Sequence, residues 1–139
     1  MHQLSPDDRL QLTREIVDLL DDWGVSATNR VNLLGMSEGT KARSMAKYGV
    51  DFAFPADQEV YIRIEHLIGI ADALRTSYPR NAHMGKFWLN QKNKRFANRT
   101  PLICMLEDGL NGIVTVRVHL DCAYDWHIDE TSAGKINNK

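Results

Sequence analysis

Residues 112–126 read GIVTVRVHLDCAYDW, and the fold class turns on how they are taken. From Ile113 to Leu120 the apolar and polar residues alternate well enough for a strand, and the three valines prefer one. Yet Ile113, Val116, Leu120, Ala123 and Tyr124 also fall on one helical face. Periodicity leaves both open: a strand here gives a mixed fold, a helix an all-α one.

Everything upstream of this segment reads as helix. In "SPDD" Ser5 supplies an N-cap, Pro6 the first helical position, and Asp7 and Asp8 two acids for the positive end of the dipole. Leu12, Ile16, Leu19, Leu20 and Trp23 then form a stripe that stops at Gly24. Ser26 caps a short second helix that buries Val31 and Leu34 before Gly35 breaks it. Ser37 caps a third, with Ala42, Met45 and Ala46 inward, ending at Gly49. The connector "DFAFPADQ" carries aromatic anchors and leads to Asp57, the cap of a long helix from Gln58 to Ser77. On that helix Val60, Ile64, Leu67, Ala71 and Leu74 share a face, while Tyr61, Ile62 and Ile70 lie off it and predict a subunit contact. After Pro79 a helical turn at Phe87–Leu89 gives way to a basic, asparagine-rich loop. Thr100 and Pro101 then start another helix, closed by Gly109. From about Asp129 the chain is polar and contains glycine, as a terminal tail does.

With 139 residues, 43% of them hydrophobic, the chain can bury one real core. The net charge of −1 conceals segregation: residues 25–49 hold four cations and one acid, and residues 80–99 six cations and no acid. Two cysteines, Cys104 and Cys122, are too few for a disulfide scaffold and suit a reducing compartment. Together with the absence of any membrane-length apolar run or signal-peptide core, this predicts a soluble cytoplasmic protein with no membrane association.

Three constellations have chemistry in them. The second helix, the turn "LGMS" and the third helix have the spacing of a helix-turn-helix, whose second helix enters the major groove by its N-terminal end. Ser37, Glu38, Thr40, Lys41 and Ser44 would then face DNA, and Arg43 and Lys47 would reach phosphates; the bland alternative is an ordinary hairpin with solvated cations. The segment Lys86–Arg99 interleaves cations with Phe87, Trp88 and Phe96, a composition that can hold a nucleotide or single strand. Here we read the aromatics, Phe87 included, as core anchors and the cations as protein contacts. Finally, His119, Cys122 and His127 stand among Asp121, Asp125 and Asp129, but their spacing lacks a fourth ligand, and no metal or other cofactor is expected. No GxSxG, P-loop or GxGxxG is present. His66 reads as a packing residue; an enzyme using His66 or His119 is the weakest alternative.

The order of these pieces resembles the MbcA/ParS/Xre antitoxin family over about residues 10–126. "LLDDWGVSATNRVNLLGMSEGTKARSMAKYG" is similar to that family's Xre-like helix-turn-helix, although "SMAKYG" stands where an aromatic is usual. "RIEHLIGIADALRTSYP" and "WLNQKNKRFANRTPLICMLEDGLNGIVTVRVHLD" resemble its toxin-binding domain, marked by Trp88, Asn93, Phe96, Pro101, Leu106 and Gly109. The resemblance implies that residues 112–126 are helical and that the chain is all-α, with a helix-turn-helix region over 1–56, a toxin-binding domain over 57–128 and a flexible tail over 129–139. It implies a non-enzymatic, homodimeric antitoxin that neutralises a RES-domain toxin degrading NAD⁺ and represses its own operon by binding operator DNA. Toxin contacts are then expected at Lys94, Arg95, Arg99 and Arg117, and at Tyr124 and Trp126. A stand-alone helix-turn-helix regulator without a toxin is the alternative.

Overall fold

The structure, a computed structural model, describes residues 4–36, 41–81 and 83–122. Among these residues the chain is helical without a strand, and the only sheet-like pairings are two isolated bridges, Tyr48 with Phe52 and Asn93 with Arg99. The α-helices are α1 (Pro6–Trp23), α2 (Ala27–Leu33), α3 (Gln58–Ser77), α4 (Met84–Leu89) and α5 (Pro101–Asp108). A further helix, α6, runs over 110–122. Short 3₁₀ helices lie between them at Ala42–Lys47 and Lys94–Phe96.

The helix starts follow from local chemistry. Ser5 accepts from the Asp8 N–H at 3.1 Å, Ser26 from Asn29 at 3.2 Å, Asp57 from Glu59 at 2.8 Å and Thr100 from Ile103 at 3.0 Å, each satisfying a donor that has no partner inside its helix. Pro6 and Pro101 hold the first helical positions. Between α5 and α6 the backbone of Gly109 takes φ 63° and ψ −139°, a region essentially restricted to glycine, and so two helices can follow one another almost without a loop.

The last segment is helical because packing overrides the preference of its valines. Ile113, Val116 and Leu120, spaced three and four apart, are buried, while Val118 is 52% exposed. A strand would have put Val114, Val116 and Val118 on one face, and only one of the three is buried.

The centre of the fold is α3. Val60, Ile64, Leu67, Ala71 and Leu74 are buried as the stripe requires, and so is Ile70, at 0% exposure, from the face expected to meet another subunit. Tyr61 on that side is half-buried, and its hydroxyl accepts from Arg9 Nε at 3.0 Å. The apolar surplus is thus largely covered within the chain, which leaves Ile62, half-buried, as the remainder. One cluster of buried side chains extends from Ile16 through α3 to Leu120 and takes in residues from both sides of position 56.

The region after α2 departs furthest from expectation. Leu33 and Leu34 are its buried residues, and Val31 is half-buried. The predicted third α-helix is, among the described residues, a 3₁₀ helix of six residues; its cap Ser37 lies outside them. Extended backbone at Lys41 and Tyr48 confines it to six residues, and the tighter 3₁₀ turn is used in short pieces of this kind; Met45 inside it and Tyr48 after it are buried. Ala46, expected inside, is exposed.

Sequence patterns also passed over the residue that ties α1 to the connector. Thr13 is buried; its hydroxyl donates to the Arg9 carbonyl at 2.8 Å and accepts from the Phe54 N–H at 2.8 Å. Arg9 Nη2 reaches the Phe54 carbonyl at 3.1 Å and Arg14 Nε the Gly49 carbonyl at 3.0 Å. Phe54, 1% exposed, is thereby pinned as a core anchor, whereas Phe52 of the same connector is exposed. Thr13→Val keeps the shape but leaves the Phe54 N–H buried without a partner, and should cost about 1–3 kcal/mol. Urea unfolding should show this as a lowered midpoint, with Thr13→Ser losing less than half as much; an unchanged Thr13→Val midpoint would refute the role.

Candidate functional site

Two surfaces collect the residues expected to bind. On the hairpin side, Lys41, Arg43 and Lys47 are exposed around the 3₁₀ helix and Ser44 is half-buried; Ser37, Glu38 and Thr40 lie outside the described residues. Lys47 does not simply project into solvent. Its Nζ stands 5.2 Å from the centre of the Tyr48 ring and 5.5 Å from that of Phe52, a cation–π arrangement that draws it onto its own loop. Lys41 and Arg43 are therefore the better placed to reach phosphates. A residue unnoticed in the sequence lies behind them: Arg63 of α3 crosses the turn at Gly35, where a Cβ would stand 2.3 Å from its Nε, and that buried Nε has no hydrogen-bond partner among the described residues.

On the other side lies the segment Lys86–Arg99 with α5 and α6. Asn93 accepts from the Arg95 N–H at 2.9 Å and starts the 3₁₀ turn that sets Lys94 and Arg95 out into solvent. Phe96 from the same turn is buried and meets Trp88 edge-on at 6.3 Å.

Arg99 and Arg117, expected to be offered outward, are braces instead. Arg99 grips Asp108 with two nitrogens at 3.1 and 2.9 Å, reaches Glu107 at 3.1 Å and donates from Nε to the Phe96 carbonyl at 3.1 Å. It locks the 3₁₀ turn to the end of α5. The hydrogen bond from Arg99 holds the Asp108 carboxyl below the usual carboxylate range. Beside them the buried Cys104 thiol is pushed up, first by burial, and packs in the core.

Arg117 Nη1 lies 3.1 Å from His66 Nδ1 and its Nε 3.8 Å from Asp121. A guanidinium only donates, so Nδ1 is the acceptor and the His66 proton sits on Nε2. The guanidinium lies over Gly69, where a Cβ would come within 2.4 Å of Nε, so a side chain at that position would displace it. Tyr124 and Trp126 lie outside the described residues.

His119 faces the aromatic pair. Its ring stacks on Trp88 at 6.1 Å with 13° between planes and meets Phe96 edge-on at 5.3 Å. Among the described residues no three histidine, cysteine or acidic groups converge; His127, Asp125 and Asp129 fall outside them. Burial, and then the charge of Arg95, pushes the pKa of His119 below that of a free imidazole.

Phe87 overturns one expectation outright. Leu89 is fully buried and Trp88 half-buried against His119, but Phe87 is 58% exposed. Three consecutive residues of an α-helix cannot share a face, and α4 spends its inward directions on the other two. Phe87 instead borders a groove of about 580 Å³ lined also by Trp23, Gly24, His83, Lys86, Asn90 and Gln91.

The depressed pKa of His119 has a definite sign. Below about pH 6.5 the unfolded chain takes up a proton that the folded one resists, so stability should fall as the solution is acidified through that value and level off below the folded pKa. His119→Phe, which keeps the ring stack, should flatten the change in denaturation midpoint between pH 7.5 and 5.5; a slope equal to wild type would place the titration elsewhere.

No family model matches this chain, and no curated protein or solved structure is significantly similar to it.

Proposed function

We propose that the protein is the antitoxin of a toxin–antitoxin pair. Its C-terminal half binds and neutralises a RES-domain toxin that degrades NAD⁺, and the hairpin region of a homodimer binds operator DNA to repress the operon. The observation that carries this reading is how the residues behind the resemblance gather. Trp88 packs on Phe96; Asn93 starts the turn that carries Phe96; Thr100 and Pro101 open α5; Gly109 joins α5 to α6; and His119 of α6 closes back on Trp88 and Phe96. These residues lie over some thirty positions of sequence and build one small helical knot, a scaffold for a surface more than a surface in itself.

On that scaffold the cations fall into two groups. Arg99 and Arg117 hold the knot together, while Lys94 and Arg95 stand exposed on the 3₁₀ turn and are the better toxin contacts. The DNA part of the reading rests on Lys41 and Arg43, with Arg63 behind the turn; the six-residue 3₁₀ helix suits phosphate contact better than the reading of base edges.

Co-expression with the RES toxin tests the first half. Wild type should rescue growth, and Lys94→Glu with Arg95→Glu should lose rescue at an unchanged Tm, whereas Arg99→Ala should lose it only together with stability. If the double charge reversal still rescues fully, the toxin lies elsewhere. For the second half, Lys41→Ala with Arg43→Ala should weaken binding to the promoter and reduce the slope of log affinity against log salt by about 1.8, or 0.9 per phosphate contact. Identical salt slopes for variant and wild type would exclude these residues from the DNA surface.

A further inference from the structure

The exposed Phe87 and its groove remain without a role in the toxin or operator reading. We infer that the groove between the end of α1 and α4 takes a base of a single-stranded nucleic acid, whose phosphates run over the neighbouring cations. One exposed phenylalanine by itself would mean nothing, since isolated apolar side chains are common on surfaces. Three further observations stand beside it.

The groove is of the right size and chemistry. At about 580 Å³ it has room for a nucleobase, and it is bordered by an aromatic ring, two amides and a cation. Asn90 donates from Nδ2 to the Lys86 carbonyl at 2.7 Å, which fixes its amide and leaves Oδ1 as an acceptor for a base edge. Gln91 beside it is exposed. The Lys86 side chain reaches Gly24, with Cε 3.0 Å from where a Cβ would stand, and borders the groove as an exposed cation.

The charge is one-sided. Residues 80–99 contain Arg80, Lys86, Lys92, Lys94, Arg95 and Arg99 and no acid. Of these only Arg99 is taken up by carboxylates in the ion pairs of the described residues. Of the acids at the end of α1, Asp21 pairs with Arg30 at 2.5 Å, and Asp22 lines a neighbouring groove that shares Trp23 and reaches Gly85 of α4.

The shape selects a strand over a duplex. A ring at the rim of a pocket can stack on a base only when that base is out of the double helix, and base–aromatic stacking tolerates any sequence. Lys86 at the groove and Lys92, next in sequence to its lining residue Gln91, are both exposed and offer contacts to two phosphates, more than a mononucleotide carries. This inference does not rest on the antitoxin reading; it would hold for a protein with no toxin.

Anisotropy titrations with 5′-labelled (dA)₁₂, a 12-base-pair duplex of mixed sequence, and AMP as competitor test it on the full-length protein. The strand should bind at 50 mM salt more tightly than the duplex, and AMP should displace it only at concentrations far above those at which unlabelled strand does. Phe87→Ala should weaken strand binding roughly ten-fold at an unchanged Tm, as befits an exposed residue, and Phe87→Tyr should restore it. Lys86→Gln with Lys92→Gln should lower the salt slope by about 1.4, or 0.7 per phosphate. Failure of the wild type to bind the strand, equal affinity for the duplex, displacement by AMP as effective as by strand, or a Phe87→Ala variant as tight as wild type would each overturn the proposal.

Discussion

The constraint that shapes this molecule is the need to cover α3 on more than one side. A twenty-residue helix with a single apolar stripe could lie on a surface, but while Ile70 widens the stripe of Leu67, Ala71 and Leu74, Gly69 on the opposite side lies under the Arg117 guanidinium. Short helices must close over it from several directions. α1 and α4 both pack against α3, and α6 is braced to it by Arg117 over Gly69 and His66. Helices of six to eight residues such as α2, α4 and α5 are not stable alone in water, so their order derives from this burial. Caps set where each one starts; the common core keeps it in place. The polar ties from α1 to the connector belong to the same scheme, because Phe54 has to be held in the core by a segment without regular structure.

A consequence is that cations in this chain have two jobs that composition cannot separate. Arg99 and Arg117 carry forked donors and are spent on internal joints, where planar, multiple hydrogen bonding suits arginine over lysine. The lysines around them, by contrast, lie on exposed positions. The carboxylate partners of Arg99 are eight and nine residues away and the His66 partner of Arg117 is fifty-one away, so the joints between elements have no helical or strand spacing to announce them; Asp121, four residues after Arg117, lies within the same helix. All that the sequence exposes is charge, and charge alone looks like a binding surface.

The same distinction between local and distant causes explains what was legible. Ser5, Ser26, Asp57 and Thr100 act within three residues of themselves, and each cap stands where the sequence puts it. The stripe of α3 is a matter of period and was equally readable. The segment from Ile113 to Leu120 was not, because its alternation and its helical face are both real and only the presence of the core decides between them. Phe87 was misjudged for a reason that the sequence did contain: in a helical turn Phe87, Trp88 and Leu89 must point three ways, and burying two commits the third to solvent. The 3₁₀ helix was not legible, because Ala42, Met45 and Ala46 fit an α-helical face and the extended residues Lys41 and Tyr48 that shorten it are set only on folding. Of the two candidate surfaces, the exposed cations could be named in advance, but Thr13, Arg63 and the braces belong to contacts that form only on folding.

A chain with 17 cations, 18 acids and a net charge of −1 would be dismissed as a polyanion binder on its total. The total is the wrong quantity. At physiological ionic strength the screening length is about 8 Å, shorter than the distance across a body of this size, so a bound phosphate feels the side chains around it and little of the far face. Glu15, Asp18 and Asp22 lie along the groove between α1 and α3, while residues 80–99 carry no acid at all. Segregation of this kind lets one small protein present a cationic face to a partner and still stay near neutrality overall, which limits the self-repulsion that a uniformly basic chain would suffer. It also means that the salt dependence of any association reports the count of cations at that interface and not the charge of the molecule, and so each face of this protein can be interrogated separately from the rest.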